Sequence, residues 1–270
     1  MRKQDTAELI KYIVESGKRL VERQGKISDI GVTKRFLTEE DIRIERRVKE
    51  LVSGIPAPGS FYAEEENNDF AEAQSVWIAD PISGTRRFID GTGNYAIVVS
   101  HMSLGKVDFA VVYNPTADKL YEARKGQGAF LNNARLVNTN RGGRNIIFAA
   151  AGAWNDSEIP AKMREKLEEK YTVFPSQGSF AYNYCIVAEG AFDGAITLTH
   201  DTFADFAGSF IARQAGLAAT NIFGEKYINQ NDRAFVYGNK SVYDELFCLA
   251  NEVFDSSGGA RAHLDRVLGR

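Results

Sequence analysis

The chain has 270 residues, of which 44% are apolar and 26% charged, with a formal net charge of −3. It is long enough to bury a substantial core, and this charge excludes a general electrostatic affinity for nucleic acid or anionic membranes. An anionic substrate would therefore need local cations, supplied by a bound metal or by Arg and Lys.

The cysteines and the N-terminal residues indicate the cellular compartment in which we expect the protein. Cys185 and Cys248 both lie in apolar runs, which predicts buried thiols in a reducing environment instead of a disulfide framework or a zinc site. The first residues lack the apolar core of a signal peptide, and no stretch approaches the ~18 apolar residues of a membrane span. We expect a cytoplasmic protein that binds neither membrane nor nucleic-acid polymer.

Two helices and a sheet are predicted in the first half. Apolar residues at helical spacing predict a helix over about 7–22. Thr38 is a favourable N-cap for a second helix, which Gly54 and Pro56 end. Short apolar runs then predict strands of a largely antiparallel sheet, over 76–79, 95–100, 109–113, 120–124 and 126–133.

The second half alternates strands and helices, as α/β proteins do. The predicted elements, in chain order, are strand 146–150, helix 161–169, strand 171–174, helix 179–188 closed by Gly190, strand 195–198, helix 205–215 and a last helix capped by Ser241. We predict lobes over 1–140 and 141–270, with a cleft between them.

Acidic residues at four places could bind metal. They are Asp41 after the Thr38 cap, the run at 64–66, Asp80 at the end of an apolar strand, and Asp205 at a helix start. Carboxylate oxygens suit Mg²⁺, and two such ions can polarise a phosphoryl group and activate water. The turn after Asp80 could also present backbone N–H groups to phosphate.

Each acid also has a structural interpretation. Glu64 fits a solvated turn, Asp41 fits a capping interaction, and Asp205 fits a helix dipole. Asp80 is harder to explain in this way, because a carboxylate that ends a buried strand needs a partner. Residue types and spacing alone predict only a possible metal and phosphate site.

Several motifs together resemble those of the inositol monophosphatase family. The segment 77–88, WIADPISGTRRF, resembles its W-x-x-D-P-[IL]-D-G-T-x-N-F signature. Segment 178–194 resembles G-S-A…V-A-x-G…D, and segment 205–216 resembles D-x-A-x-G…E-A-G. Shorter matches are TEED at 38–41 for T-x-x-D, AEE at 63–65 for G-E-E, and KGQGAFLN at 125–132. Imperfect motifs in register over most of the chain are more specific than any single one.

The resemblance implies an αβαβα five-layer sandwich of mixed α/β class, a homodimer, and magnesium-dependent hydrolysis of a small phosphorylated metabolite. It implies a first metal on Glu64, Asp80 and the Ile82 carbonyl, and a second on Asp80 and Asp205. Asp41 and Thr85 would orient and activate the attacking water, with Glu64 also in the catalytic set. The remaining implied substrate-binding positions are Ser83, Gly84, Thr85, Arg86, Arg87, Ser179 and Leu198.

The chain departs from the family pattern at Ser83, where the family has a metal-binding aspartate. The hypothesis is one well-bound metal, a weaker second, and activity that is weak or needs high magnesium. Arg87 replaces an asparagine, which fits either a solvated helix face or a substrate with a second anionic group, such as a bisphosphate or nucleotide. Leu198 replaces a glutamate that contacts inositol hydroxyls, and Ala204 replaces a tryptophan.

One alternative to an active phosphatase remains. The fold could persist with lost or altered chemistry, as a protein that binds a phosphorylated ligand, and Ser83 keeps this alternative open. The three histidines support no Ser-His-Asp or Cys-His pairing from the sequence alone. His200 is favoured as a loop residue, although His200 and Asp201 lie near Asp205 in the chain.

Overall fold

The computed structural model of the chain describes residues 2–269 apart from 33, 35, 57–58, 68, 70–72, 139–142, 200–201 and 227–228. The predicted boundary between residues 140 and 141 lies outside the described residues, as do His200 and Asp201. No helix among the described residues is long and apolar enough to cross a membrane.

The first half of the described chain is rich in strands, and the second half alternates between strands and helices. The helices are α1 (Ala7–Arg23), α2 (Glu39–Ser53), α3 (Thr85–Ile89), α4 (Ile159–Glu168), α5 (Phe180–Glu189), α6 (Phe203–Gln214), α7 (Lys240–Ser256) and α8 (Ala260–Val267). The strands are β1 (Ser60–Ala63), β2 (Ser75–Ser83), β3 (Ala96–Ser103), β4 (Lys106–Asn114), β5 (Lys119–Arg124), β6 (Gly128–Leu131), β7 (Ala134–Leu136), β8 (Asn145–Ala150), β9 (Thr172–Phe174), β10 (Gly194–Leu198), β11 (Ala218–Asn221) and β12 (Ala234–Gly238).

The strands form two sheets. The first has the order β1-β2-β3-β4-β5-β6-β7. All its neighbouring strands are antiparallel except β1 and β2, which are parallel. The second has the order β11-β12-β10-β8-β9, with β8, β9 and β10 parallel and β12 antiparallel to both its neighbours. Parallel strands need helical crossovers, which explains the helix-rich second half.

Side-chain alternation along the strands builds five layers. In β2, Trp77 and Ala79 contact α1 and α2, while Val76 and Ile78 face a core shared with α5 and α6. Ile147 of β8 lies on that same shared core, whereas Ile146 faces the opposite side, which α4, α7 and α8 cover. Because successive side chains of a strand point to opposite faces, each sheet is covered on both sides. The predicted αβαβα sandwich is confirmed.

Some local predictions are corrected. Strand β2 continues past Asp80 to Ser83, so Asp80 lies within the strand instead of at its end. Asn239, not Ser241, caps α7, since its side chain accepts the N–H of Val242. Cys185 is buried as predicted. Cys248 is instead exposed on α7, because one face of a surface helix is turned towards solvent even within an apolar run.

Candidate active site

The end of β2 bends sharply into α3. Pairing with β3 is regular up to Asp80 and resumes only at Ser83, which marks a bulge. A bulge redirects the strand and its side chains. Gly84 then takes a left-handed conformation with φ of 89° and becomes the N-cap of α3. This backbone favours glycine, and it places Thr85 at the start of α3, two residues after Ser83.

A cavity of about 830 Å³ opens beside this bend. The predicted site residues that line it are Glu64, Asp80, Ser83, Gly84, Thr85, Arg86, Arg87 and Ser179. Elements far apart in the chain therefore converge here: the turn after β1, the end of β2, the start of α3 and the start of α5. Ser179 caps α5 by accepting the N–H of Tyr182.

The acidic turn after β1 lies beside Asp80 because β1 and β2 are parallel and in register. Ala63 pairs with Ala79, so Glu64 follows alongside Asp80. Glu45 of α2, fully buried, holds this turn by accepting the backbone N–H groups of Glu65 at 2.8 Å and Glu66 at 2.9 Å. The turn is thus anchored to the helix that also carries Asp41. It is therefore not a freely solvated turn.

Lys34 was not predicted as a site residue. Its Nζ donates to Glu64 Oε1 at 2.7 Å and to both carboxylate oxygens of Glu65 at 2.8 Å, and it lines the cavity with Asp80. Burial lowers the pKa of Lys34, but the charges and hydrogen bonds of Glu64 and Glu65 outweigh it, and the net shift is upward. No motif in the sequence singles out this lysine.

Asp41 lies behind Thr85. Thr85 Oγ1 donates to the Ile82 carbonyl at 2.8 Å and lies 3.3 Å from Asp41 Oδ1, while Asp41 Oδ2 accepts the N–H of Thr38 at 2.8 Å. The capping role and the contact with Thr85 therefore coexist. Burial, with the nearby charges of Glu65 and Glu64, raises the pKa of Asp41 to about 7.

Asp205 has a different environment. It is fully buried in the first turn of α6. Its carboxylate accepts the hydroxyl of Tyr184 at 2.9 Å and that of Thr199 at 3.2 Å. Its neighbour Ala204 is the α6 residue that lines the cavity. A carboxylate has about four acceptor positions, so these bonds do not exhaust its capacity.

Leu198 is not brought to the cavity. It is fully buried at the end of β10, within the core between the second sheet and α4, α7 and α8. The predicted contact of this side chain with substrate is therefore wrong, because the strand alternation turns it to the outer face of the sheet. Ile82 is also fully buried, and its carbonyl accepts the Thr85 hydroxyl.

Cationic and aromatic side chains also line the cavity. Arg87 reaches the Ser176 carbonyl at 3.3 Å, and Arg164 of α4 lies over the ring of Phe148 at 5.6 Å. Arg164, Phe148 and Phe180 line the cavity but were not predicted. Arg164 falls in a charged helix, where a sequence pattern indicates only a solvated face.

A Ser-His-Asp series, absent from the sequence-based prediction, lies elsewhere. Ser75 Oγ is 2.8 Å from His101 Nε2, and His101 Nδ1 is 2.7 Å from Asp108. His101 is buried, and the backbone at Gly59 lies so close that a Cβ there would be 2.7 Å from Ser75 Oγ. We interpret the series as a structural link across β2, β3 and β4.

The residues at the cavity fit a hard cation. Glu64 and Asp80 supply carboxylate oxygens and Ser83 a hydroxyl, which are the donors Mg²⁺ prefers. The ammonium of Lys34 shows that the acidic turn attracts positive charge. Within the described residues, no three His, Cys, Asp or Glu side chains group as a metal cluster. Glu64 and Asp80 are the carboxylates among the described residues that line the cavity.

Comparison with known proteins agrees with this geometry. The sequence model of the inositol monophosphatase family matches residues 5–253. The chain is 27% identical over 253 residues to a fructose-1,6-bisphosphatase/inositol-1-monophosphatase of Thermotoga maritima, covering 93% of this chain and 97% of that protein.

Solved structures share the fold. An IMPase of Thermotoga maritima has a TM-score of 0.79 at 25% identity, covering 93% of this chain and 98% of the other. An IMPase/NADP phosphatase complexed with Mg²⁺ and phosphate has a TM-score of 0.76 at 20% identity, covering 95% and 97%.

The layered fold, the acidic turn and the strand-to-helix bend together define a phosphatase that acts on phosphorylated metabolites. The chain belongs to the inositol monophosphatase family, whose enzymes depend on Mg²⁺.

Proposed function

We propose that the protein is a Mg²⁺-dependent phosphomonoesterase whose substrate carries a second anionic group. The observation that carries the proposal is the composition of one cavity. Its lining combines the carboxylates of Glu64 and Asp80 with the guanidinium groups of Arg87 and Arg164. An ester phosphate fits the first region with a metal, and a second phosphate fits the guanidinium groups.

The metal would be held by Glu64, Asp80 and the Ile82 carbonyl, whereas the buried Asp205, which accepts the hydroxyls of Tyr184 and Thr199, would support the structure around the site. When bound, Mg²⁺ polarises the phosphoryl group and lowers the pKa of water. N–H groups of Gly84 and Thr85 would hold the phosphate, since the first N–H groups of a helix lack intrahelical partners. Ser83 would contribute a neutral hydroxyl, which leaves the metal with one negative charge fewer.

Asp41 and Thr85 would handle the proton of the attacking water. The Thr85 hydroxyl, close to Asp41 Oδ1, can orient the water, and the Asp41 carboxylate can take its proton. A carboxylate with a pKa of about 7 is well matched to this role near neutral pH. Asp41 is fully buried and Thr85 nearly so, which shields the pair from bulk solvent.

Binding of a phosphorylated ligand without hydrolysis is the second candidate. Ser83 and the ammonium on Glu64 favour it, because both reduce the negative charge available to a metal. Phosphate release that Mg²⁺ supports and a chelator abolishes would exclude pure binding. Cytoplasmic location and a homodimer also remain predictions.

The substrate class is tested with matched esters. Phosphate release from fructose 1,6-bisphosphate, fructose 1-phosphate, a nucleotide bisphosphate and inositol 1-phosphate is measured for the native protein and Arg87→Gln. We expect the substitution to raise KM about tenfold for the bisphosphates only, as loss of a charge-assisted hydrogen bond would.

Arg47→Gln on the exposed face of α2 is the control, since Arg47 pairs only with Glu50 of its own helix in the described contacts. Equal KM changes for mono- and bisphosphates would contradict the second anionic group. A clear preference for inositol 1-phosphate would do the same.

A further inference from the structure

The loop before α2 delivers a lysine into the acidic site. Asp29 shapes this loop, because its carboxylate accepts the N–H groups of Gly31 at 2.9 Å, Phe36 at 2.9 Å and Leu37 at 3.1 Å. Arg86 lies over the ring of Phe36 at 5.5 Å and fastens the loop to α3. These contacts hold the backbone at Gly31, Phe36 and Leu37, on either side of Lys34 in the chain.

The Lys34 ammonium bridges two carboxylates of different exposure. The side chain of Glu65 is only 2% exposed, whereas those of Glu64 and Lys34 are 25% and 38% exposed. A buried carboxylate needs a cation or hydrogen-bond donors, so Lys34 has a lasting partner in Glu65. Its bond to Glu64 is the more exposed and the more easily exchanged.

Glu64 is also the residue proposed to bind the metal. An ammonium at 2.7 Å from its carboxylate uses the same oxygen charge that a divalent cation would use. Two positive charges sharing one carboxylate repel each other, so occupancy by one weakens the other. The competition is sharper here because Ser83 supplies no compensating negative charge.

We propose that Lys34 is a built-in competitor of the metal at Glu64. Without metal, its ammonium holds Glu64 and Glu65 together. When Mg²⁺ binds, the ammonium leaves Glu64 and stays on Glu65. Lys34 thereby sets the magnesium concentration at which the site fills. This inference rests on the proposed metal site.

The test is Mg²⁺ binding by calorimetry to native protein and Lys34→Met, which keeps an unbranched, flexible side chain and removes the charge. We expect Lys34→Met to bind Mg²⁺ about two- to fivefold more tightly, which corresponds to the strength of one ion pair of this exposure. In chelator, the melting temperature of Lys34→Met should be lower than that of the native protein, because Glu65 loses its cation. Added Mg²⁺ should then raise the melting temperature of the variant by more than that of the native protein.

Lys119→Met is the matched control. Lys119 Nζ lies 2.7 Å from Glu189 Oε1 with side-chain exposures of 31% and 26%, nearly those of Lys34 and Glu64. The Lys119→Met substitution should leave the Mg²⁺ affinity unchanged. Equal affinities in the native protein and both variants would overturn the competition.

A second measurement needs no variant. Acetylation of lysines in the native protein is followed by mass spectrometry with and without Mg²⁺. Release from Glu64 should raise the labelling rate of Lys34 severalfold, with no change at Lys119. An unchanged Lys34 rate at saturating Mg²⁺ overturns the inference even if Mg²⁺ binds and supports phosphate release, whereas absence of Mg²⁺ binding would overturn the proposed function itself.

Discussion

Asp80 and Asp205 carry the same side chain within two family motifs, but the structure surrounds them differently. Asp80 lies in β2 beside a bulge and lines the cavity with Glu64. Asp205 is enclosed in α6, where Tyr184 and Thr199 donate to it. The comparison teaches that a matched motif locates a carboxylate but leaves open whether it faces ligand or supports the structure around it.

The strongest way to test the contrast is Asp80→Asn. Removing the charge that faces the cavity should lower kcat for phosphate release by roughly 10³-fold, the scale of losing a principal electrostatic contact in a transition state. Steady-state assays at saturating Mg²⁺ measure it. A loss below tenfold would mean that Asp80 is not central to catalysis.

The buried Asp41 should make the free energy of unfolding depend on pH. Its folded pKa of about 7 lies above the unfolded value, so the folded state holds the extra proton between about pH 4 and 7. The contribution of Asp41 to the free energy of unfolding is fully present below pH 4 and is lost as pH rises through 7. This loss lowers the free energy of unfolding by a few kcal/mol.

Urea unfolding in chelator across this range should show the decline in the native protein and a weaker decline in Asp41→Asn. Asp244→Asn, an exposed change on α7, should follow the native curve. Identical slopes for the Asp41→Asn variant and the native protein would contradict the assignment.

Asp205→Asn should have a smaller effect on turnover than Asp80→Asn. Asparagine keeps one carbonyl acceptor for Tyr184 or Thr199, and loss of a supporting contact costs about 10–100-fold in activity. Its free energy of unfolding should fall by about 1–2 kcal/mol. Activity losses as large as those of Asp80→Asn would remove the distinction between the two aspartates.

Ser83→Asp restores a charge on the Asp80 side of the site. We expect a few-fold gain in turnover at low Mg²⁺ and little change at saturation, because the added carboxylate strengthens metal binding. Ser83→Asn, of similar size without charge, is the control. If neither variant gains, the missing carboxylate does not limit activity.

Local elements were predicted well where periodicity was strong. The predicted helix 7–22 and the Thr38 cap agree with α1 and α2, because side-chain spacing and capping are local properties. Strands β1, β11 and β12 and helix α8 were not predicted, although β12 is a short apolar run that is fully buried. The predicted division at residue 140 stays a prediction.

The sequence by itself determined the family, the layered fold and the turn at Gly84 and Thr85, because the preferences of glycine for turns and of helix starts are properties of neighbouring residues. Only the tertiary structure decided that Lys34 meets Glu64, that Arg164 joins the cavity and that Leu198 does not. Lys34 and Glu64 are 30 residues apart. Contacts across such distances depend on how strands pair and which faces they bury, and no local pattern specifies that.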